Sequence, residues 1–307
     1  MQSRMKTALY IGLAVFALGF LVIWIQQIVR TRHLPASATR ARNFWPLDVG
    51  IGLFTNFLDA LGIGSFATTS SLFKLCGLVP DEQIPGTLNV GHTLPTVTEA
   101  FLFLGLVQVD VTTLVSMIAA STIGAWLGAG IVSHWPRRKV QIGMGSVLLA
   151  AAAFIVLKLM SWMPGGGQAL GLTGSKLILG LVGNAVLGAL MTLGIGLFAP
   201  CMVLIALLGM NPLAAFPIMM GSCAFLMPVG SARFVRTGRY NLKSALGLAL
   251  GGVPGVLLAF YLVKSLPLKA VNWLVVGVVL YTAAMMLRSA QRERRQAMLV
   301  TAEATAD

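Results

Sequence analysis

Apolar runs follow one another along nearly the whole chain, separated by short polar loops. Many of them exceed the ~18 residues needed to cross about 30 Å of hydrocarbon as a helix. The first, residues 8–28, is flanked by Arg4, Lys6, Arg30 and Arg32. Ala36-Ser37-Ala38 faintly resembles a signal-peptidase site, but a signal peptide's apolar region spans only ~7–15 residues. The longer run predicts a retained N-terminal transmembrane helix over 1–29. A basic linker with Pro and Ser follows over 30–44. The next apolar stretch, 48–78, is broken at Gly62-Ile63-Gly64, and spans are predicted at 84–107, 111–133 and 140–158. After a Gly-rich segment, the stretch 177–209 is broken at Gly194-Ile195-Gly196, and spans follow at 213–235, 243–263 and 269–287.

This order repeats. Leu61 to Pro85 (LGIGSFATTSSLFKLCGLVPDEQIP) aligns without a gap on Leu193 to Pro217 (LGIGLFAPCMVLIALLGMNPLAAFP) at an offset of 132, with 11 of 25 positions identical. Leucine matches are expected in such apolar segments; the shared glycines and prolines are not. Downstream, Gly124 and Pro136 find Gly255 and Pro267 at an offset of 131. The chain therefore divides into the N-terminal helix, the linker, repeat 1 (45–160), a Gly-rich linker (161–175), repeat 2 (176–288) and a tail (289–307) that we expect in the cytoplasm.

Charge bears on topology. The richest basic clusters are Arg30/Arg32/Arg40/Arg42, Arg137/Arg138/Lys139, Arg236/Arg239/Lys243 and Arg288/Arg292/Arg294/Arg295. Cytoplasmic loops concentrate Lys and Arg. If each broken stretch crosses the membrane as a kinked helix, the 134–139 cluster lies on the wrong face. If each enters and returns as a hairpin, every rich cluster shares one face. The two repeats are then inverted, a recurring plan among transporters. The expectation is an all-α polytopic membrane protein with two inverted repeats. Each repeat has a Gly-broken re-entrant helical hairpin plus three spans, and the N-terminal helix is extra. A bacterial inner membrane and a cytoplasmic C-terminus are expected.

Composition narrows the function. The chain is 57% hydrophobic and only 10% charged, against roughly 25% charged in soluble domains. The net charge of +13 sits in loops as a topology signal, so no nucleic-acid partner is expected. Cys76, Cys201 and Cys223 lie in apolar runs without metal or redox spacing, so neither metal nor cofactor is expected. The histidines (His33, His92, His134) are scattered, and no Gly-x-Ser-x-Gly, His-Glu-x-x-His or P-loop occurs. An enzyme is not expected.

Paired glycines free backbone groups, which in hydrocarbon only protein or a wet cavity satisfies. The same break in both halves points to a substrate site, and each restarted helix offers unpaired N–H groups that favour an anion. Glycines that merely allow close helix packing are the bland alternative. Ser65, Thr68, Thr69, Ser70 and Ser71 add hydroxyls after the first break; Pro200 and Cys201 follow the second.

The paired Gly-x-Gly breaks, Pro85-Gly86-Thr87-Leu88-Asn89 and the turn Gly105-Leu106-Val107-Gln108-Val109-Asp110 together resemble the TauE/SafE permeases, over about 240 residues excluding the N-terminal helix and the tail. Ser65-Phe66 and Leu197-Phe198 stand where the family often has further glycines. The resemblance implies a permease for a sulfur-containing anion such as sulfite, thiosulfate or an organosulfonate. An anion channel, or transport of another small organic anion, remains as the alternative. The expected partners are a small anionic solute and the lipid bilayer.

The candidate substrate residues are Gly62, Gly64, Ser65, Thr68, Thr69, Asn89, His92, Gly194, Gly196, Cys201, Ser222 and Cys223. Intramembrane Asp59 and Glu99 are candidates for proton coupling. Glu99 has a second reading as a static partner of Lys74 or Arg233, and His92 one as a packing residue. Lys74 reads also as a snorkelling side chain, and Arg233 as a topology anchor.

Overall fold

In the computed structural model the apolar runs become helices, and no β-strand occurs among the described residues. Those residues are 2–31, 45–61, 63–103, 109–162, 166–194, 196–211 and 214–262, with parts of 273–295. The helices are α1 (Gln2–Thr31), α2 (Trp45–Ala60), α3 (Ser65–Cys76), α4 (Ile84–Phe103), α5 (Val111–Val132), α6 (Arg137–Leu159), α7 (Gly174–Met191), α8 (Phe198–Leu207), α9 (Ala215–Thr237) and α10 (Leu242–Leu262). A 3-10 turn, Asp81–Gln83, precedes α4. The protein is an all-α polytopic membrane protein. Six helices (α1, α5, α6, α7, α9, α10) are long and apolar enough to span a bilayer. About half of the predicted span 269–287 lies outside the described residues.

The helices differ from the expected span list at two places. Helix α7, the first limb of the second broken stretch, is itself long enough to cross. Helix α4 has the length but not the apolarity, because Asn89, His92, Thr93, Thr96 and Glu99 lie on it. All five are buried. Packing on every side lets α4 carry polar groups that lipid would exclude.

Both broken stretches reverse direction. In the first, Thr69 Oγ1 lies 3.0 Å from Thr55 Oγ1, and Ser65 Oγ donates to Asp59 Oδ2 at 2.6 Å. Both pairs are centred on position 62, the register of an antiparallel hairpin. A continuous helix would hold residues 55 and 69 about 21 Å apart at 1.5 Å per residue. In the second, a Cβ on Gly183 would touch Leu204 at 2.9 Å and one on Gly180 would touch Leu208 at 3.3 Å. These pairs centre on Gly194. The limbs close alike: Leu78 N donates to Phe73 O and Gly77 N to Lys74 O, and Met210 N donates to Ile205 O and Gly209 N to Ala206 O. Gly77 and Gly209 both take the positive φ (58° and 83°) that ends a helix in this way. The repeat at offset 132 is thus a repeat of hydrogen bonds.

The hairpins open at opposite ends of the bundle. At one end, Arg137 lies 3.6 Å from Asp81, and Asn241 N donates to Thr87 Oγ1 at 2.9 Å. The loop after α3, the start of α6 and the loop before α10 therefore meet there, with two of the rich basic clusters. At the other end, Asp110 N donates to Leu170 O and Asn211 N to Ala169 O, both at 2.8 Å, gathering the starts of α5 and α7 and the end of α8. The first hairpin opens at the basic end and the second at the far end.

Packing between the halves follows the same symmetry. Helix α2 packs on α10 as α7 packs on α5, and α4 crosses its counterpart α9. Small residues permit this approach. A Cβ on Gly251 would collide with Val49 O and one on Gly255 with Leu53 O; Gly124 and Gly188 meet Ala185 O and Ser121 O in the same way. These glycines serve close packing, which Gly64, Gly194 and Gly196 at the breaks do not.

Candidate functional site

The hairpin tips meet at one cavity of about 40 Å³, bounded by Gly64, Ser65 and Phe66 from the first tip and by Gly196 and Leu197 from the second. Asp59 and Met191, the last turns of α2 and α7, close it below the tips. They occupy equivalent positions at the offset of 132. Helix α4 contributes Thr96 and Glu99, and α9 contributes Met219, Met220 and Cys223.

Both helix starts at the cavity lack a side-chain cap. Gly64 precedes α3 and Leu197 precedes α8, and neither makes a capping hydrogen bond. Gly64 has φ 98° and Gly194 φ 105°, conformations that a side chain would strain. The two tips differ in charge. Asp59 reaches across its own break and accepts from the Ser65 hydroxyl, so a carboxylate already faces the start of α3. Met191 stands in that place at the second tip, and nothing anionic faces the start of α8 from there. Leu197 O accepts from Cys201 N, the first bond of α8. Pro200, which has no N–H, sits within its first turn.

Of the candidate residues, Gly64, Ser65, Gly196, Cys223, Asp59 and Glu99 line this cavity. Gly62 lies outside the described residues. Thr68 donates back to Gly64 O and Ser65 O, and Ser71 to Ala67 O, so two of the five expected hydroxyl donors are spent along their own chain, while Ser65 and Thr69 bond to α2. Ser70 Oγ is buried without a partner, 3.6 Å from where a Cβ on Gly194 would stand. His92 has both ring nitrogens engaged: Nδ1 with Asn56 Oδ1 at 2.9 Å and Nε2 with Thr69 Oγ1 at 3.0 Å. Its ring also lies against Phe66, at 5.4 Å between centroids. With Thr55 bonded to Thr69, these residues tie α2, α3 and α4 together behind the tip. Asn89 Nδ2 bonds Pro85 O and Thr192 O, and Ser222 accepts from Asn184 Nδ2. Cys201 is buried, and Cys223 Sγ lies 3.9 Å from Met191 Sδ.

The alternatives for the charged residues separate. Lys74 pairs with Asp81 at 2.6 Å, and Gln141 donates to the same carboxylate at 2.8 Å. Arg233 stacks over Trp126, its guanidinium carbon 4.2 Å from the ring centroid. Neither cation pairs with Glu99, whose Oε1 is buried without a partner. Among the cavity residues, Phe66 and Leu197 stand out in the sequence only as departures from the family pattern, and Thr96, Met191, Met219 and Met220 do not stand out at all. Met219 and Met220 lie four and three residues before Cys223, and that spacing is the one signal that would place each on a common face with it.

Comparison with known families gives one match. The model of the family described as "Sulfite exporter TauE/SafE" matches residues 3–155 and 176–305. It takes in the N-terminal helix and most of the tail, which the resemblance from motifs had left aside, and it skips the Gly-rich linker between the halves. No curated protein and no solved structure matches the chain.

Proposed function

The chain belongs to the sulfite exporter TauE/SafE family, and from that premise we propose that it is a secondary transporter carrying a small sulfur-containing anion by alternating access. The observation that carries this reading is the meeting of two uncapped helix starts at one buried cavity, from hairpins that open at opposite ends. Each start presents the positive end of a helix dipole in a medium where it is weakly screened. Inverted hairpins supply the two-sidedness that alternating access needs.

The space suits a small solute. One buried water needs ~10–15 Å³, so a cavity of about 40 Å³ accepts a cluster of roughly three water-sized groups. Sulfite has that size; a taurine-like sulfonate is larger. The methionine walls are polarizable and adaptable, which fits an anion carrying a polarizable sulfur. In this reading the anion docks at the start of α8, where Met191 replaces the carboxylate.

Asp59 and Glu99 then serve as the coupling groups. An anion cannot share so small a cavity with two bare carboxylates unless the charge is compensated. A proton on Glu99 or Asp59 is the simplest compensation. Protonation of Asp59 would also release the start of α3 from its own carboxylate. Placement in a bacterial inner membrane, with the C-terminus on the cytoplasmic face, belongs to the same proposal.

Purified protein in proteoliposomes tests this. Sulfite flux should saturate, respond to a pH gradient, and be inhibited by thiosulfate more than by taurine. Flux that rises linearly with concentration would favour an anion channel. Preferential flux of a carboxylate would remove the sulfur assignment.

A further inference from the structure

Helix α1 lies outside both repeats and packs chiefly on α9 and α4. Where it leans on α9, a groove of about 270 Å³ remains, well separated in sequence from the hairpin tips. Its walls are apolar: Phe16, Phe20 and Ile23 from α1 and Val229 from α9, with Trp126 of α5 at the side. Gly19 lies along it, and a Cβ there would meet no atom within 4 Å. The neighbouring face of α1 exposes Val15, Leu18 and Val22, which places this side against hydrocarbon.

The groove also holds two cations, Arg233 and Arg236. Arg233 stands four residues before the end of α9 at Thr237, about 6 Å along the axis, the depth of lipid headgroups. Among the described residues no carboxylate pairs with Arg233 or Arg236, so neither arginine is neutralised there. Trp126 holds the Arg233 guanidinium by its face, which leaves the in-plane N–H donors directed outward. Gly130 lies beside that group: a Cβ there would stand 3.5 Å from Nη1, in ordinary contact. A guanidinium held in this way matches a phosphate bidentately.

We propose that this groove is a binding site for an anionic phospholipid, with its phosphate on Arg233 and Arg236 and one acyl chain between α1 and α9. The charge of the site selects the headgroup, and its opening toward hydrocarbon selects a lipid over a soluble phosphate. A basic pocket between membrane helices is the usual form of such a site. The lipid would bridge α1 to the body of the transporter.

Native mass spectrometry of the full-length protein tests this. The probes are phosphatidylglycerol, phosphatidylcholine with the same acyl chains, and glycerol phosphate. Phosphatidylglycerol should bind ahead of phosphatidylcholine, and glycerol phosphate should not bind measurably. Arg236→Gln, at an exposed position, should weaken phosphatidylglycerol about five-fold, the increment expected for one basic residue near an anionic headgroup. Adding Arg233→Gln should weaken it again by a similar factor. Gly19→Trp should block the chain without displacing any neighbour. Should the double arginine variant fail to fold, Arg236→Gln and Gly19→Trp decide alone. Equal binding of the two lipids, or full phosphatidylglycerol binding by both of those variants, overturns the proposal. Tight binding of glycerol phosphate overturns it in favour of a free-phosphate site.

Discussion

Gly196→Leu separates the cavity's function from the protein's stability. At Gly196 a Cβ would meet no atom within 4 Å, and φ is not positive. The substitution should therefore cost the fold little. Loss of glycine's freedom in the unfolded chain contributes about 0.4–1 kcal/mol in the stabilising direction. The leucine side chain, however, occupies the approach to a cavity of only about 40 Å³. A solute entering must then push that side chain aside, at the ~1–3 kcal/mol typical of overpacking. This corresponds to roughly a 5- to 150-fold loss of apparent affinity. The assay is sulfite flux into proteoliposomes across a concentration series, with the thermal midpoint of the same preparation in detergent. Flux should fall at sub-saturating sulfite while the midpoint stays within a few degrees. Normal flux in a folded variant would refute the assignment of the cavity as the solute site. A collapsed midpoint would refute the packing argument from which the variant was chosen.

Further outcomes follow from other parts of the bundle. Gly251→Leu should melt well below the parent, because its Cβ would collide with Val49 O and force α2 from α10, a cost near the top of the ~1–3 kcal/mol overpacking range or beyond it; an unchanged midpoint would contradict that contact. Glu99→Gln should retain sulfite binding by calorimetry yet lose the response of flux to a pH gradient, and an intact response would eliminate Glu99 as a coupling group. His92→Ala leaves Asn56 and Thr69 without their buried partner, so it should destabilise by about 2–5 kcal/mol; an unaltered melt with weakened sulfite binding would instead make His92 a ligand. In a Cys76→Ser background, Arg138→Cys and Lys243→Cys should react with an impermeant thiol reagent from one face and Leu170→Cys from the other, and mixed labelling would break the inverted arrangement.

The sequence alone determined the solvent of this protein, its two halves and the place where each is interrupted. Apolar run length answers to bilayer thickness, and Gly-x-Gly punctuation answers to backbone freedom; both are local properties, readable one segment at a time. Charge counting also placed Arg137 and Arg239 at one end, because loop charge is read by the membrane and not by the fold. Only the tertiary structure decided which polar residues face the cavity. Asn89, His92 and Glu99 lie on one short stretch of α4, yet both ring nitrogens of His92 are taken up by other elements, Asn89 is engaged at Nδ2 but not at Oδ1, and Glu99 Oε1 keeps no partner. Whether a buried polar group is satisfied depends on neighbours distant in sequence, such as Thr192 for Asn89 and Asn56 for His92. The exchange of Asp59 for Met191 was visible in the alignment of the halves, but its meaning was not. It acquires one only when the two tips are brought face to face, so that a single cavity has a carboxylate at one helix start and none at the other.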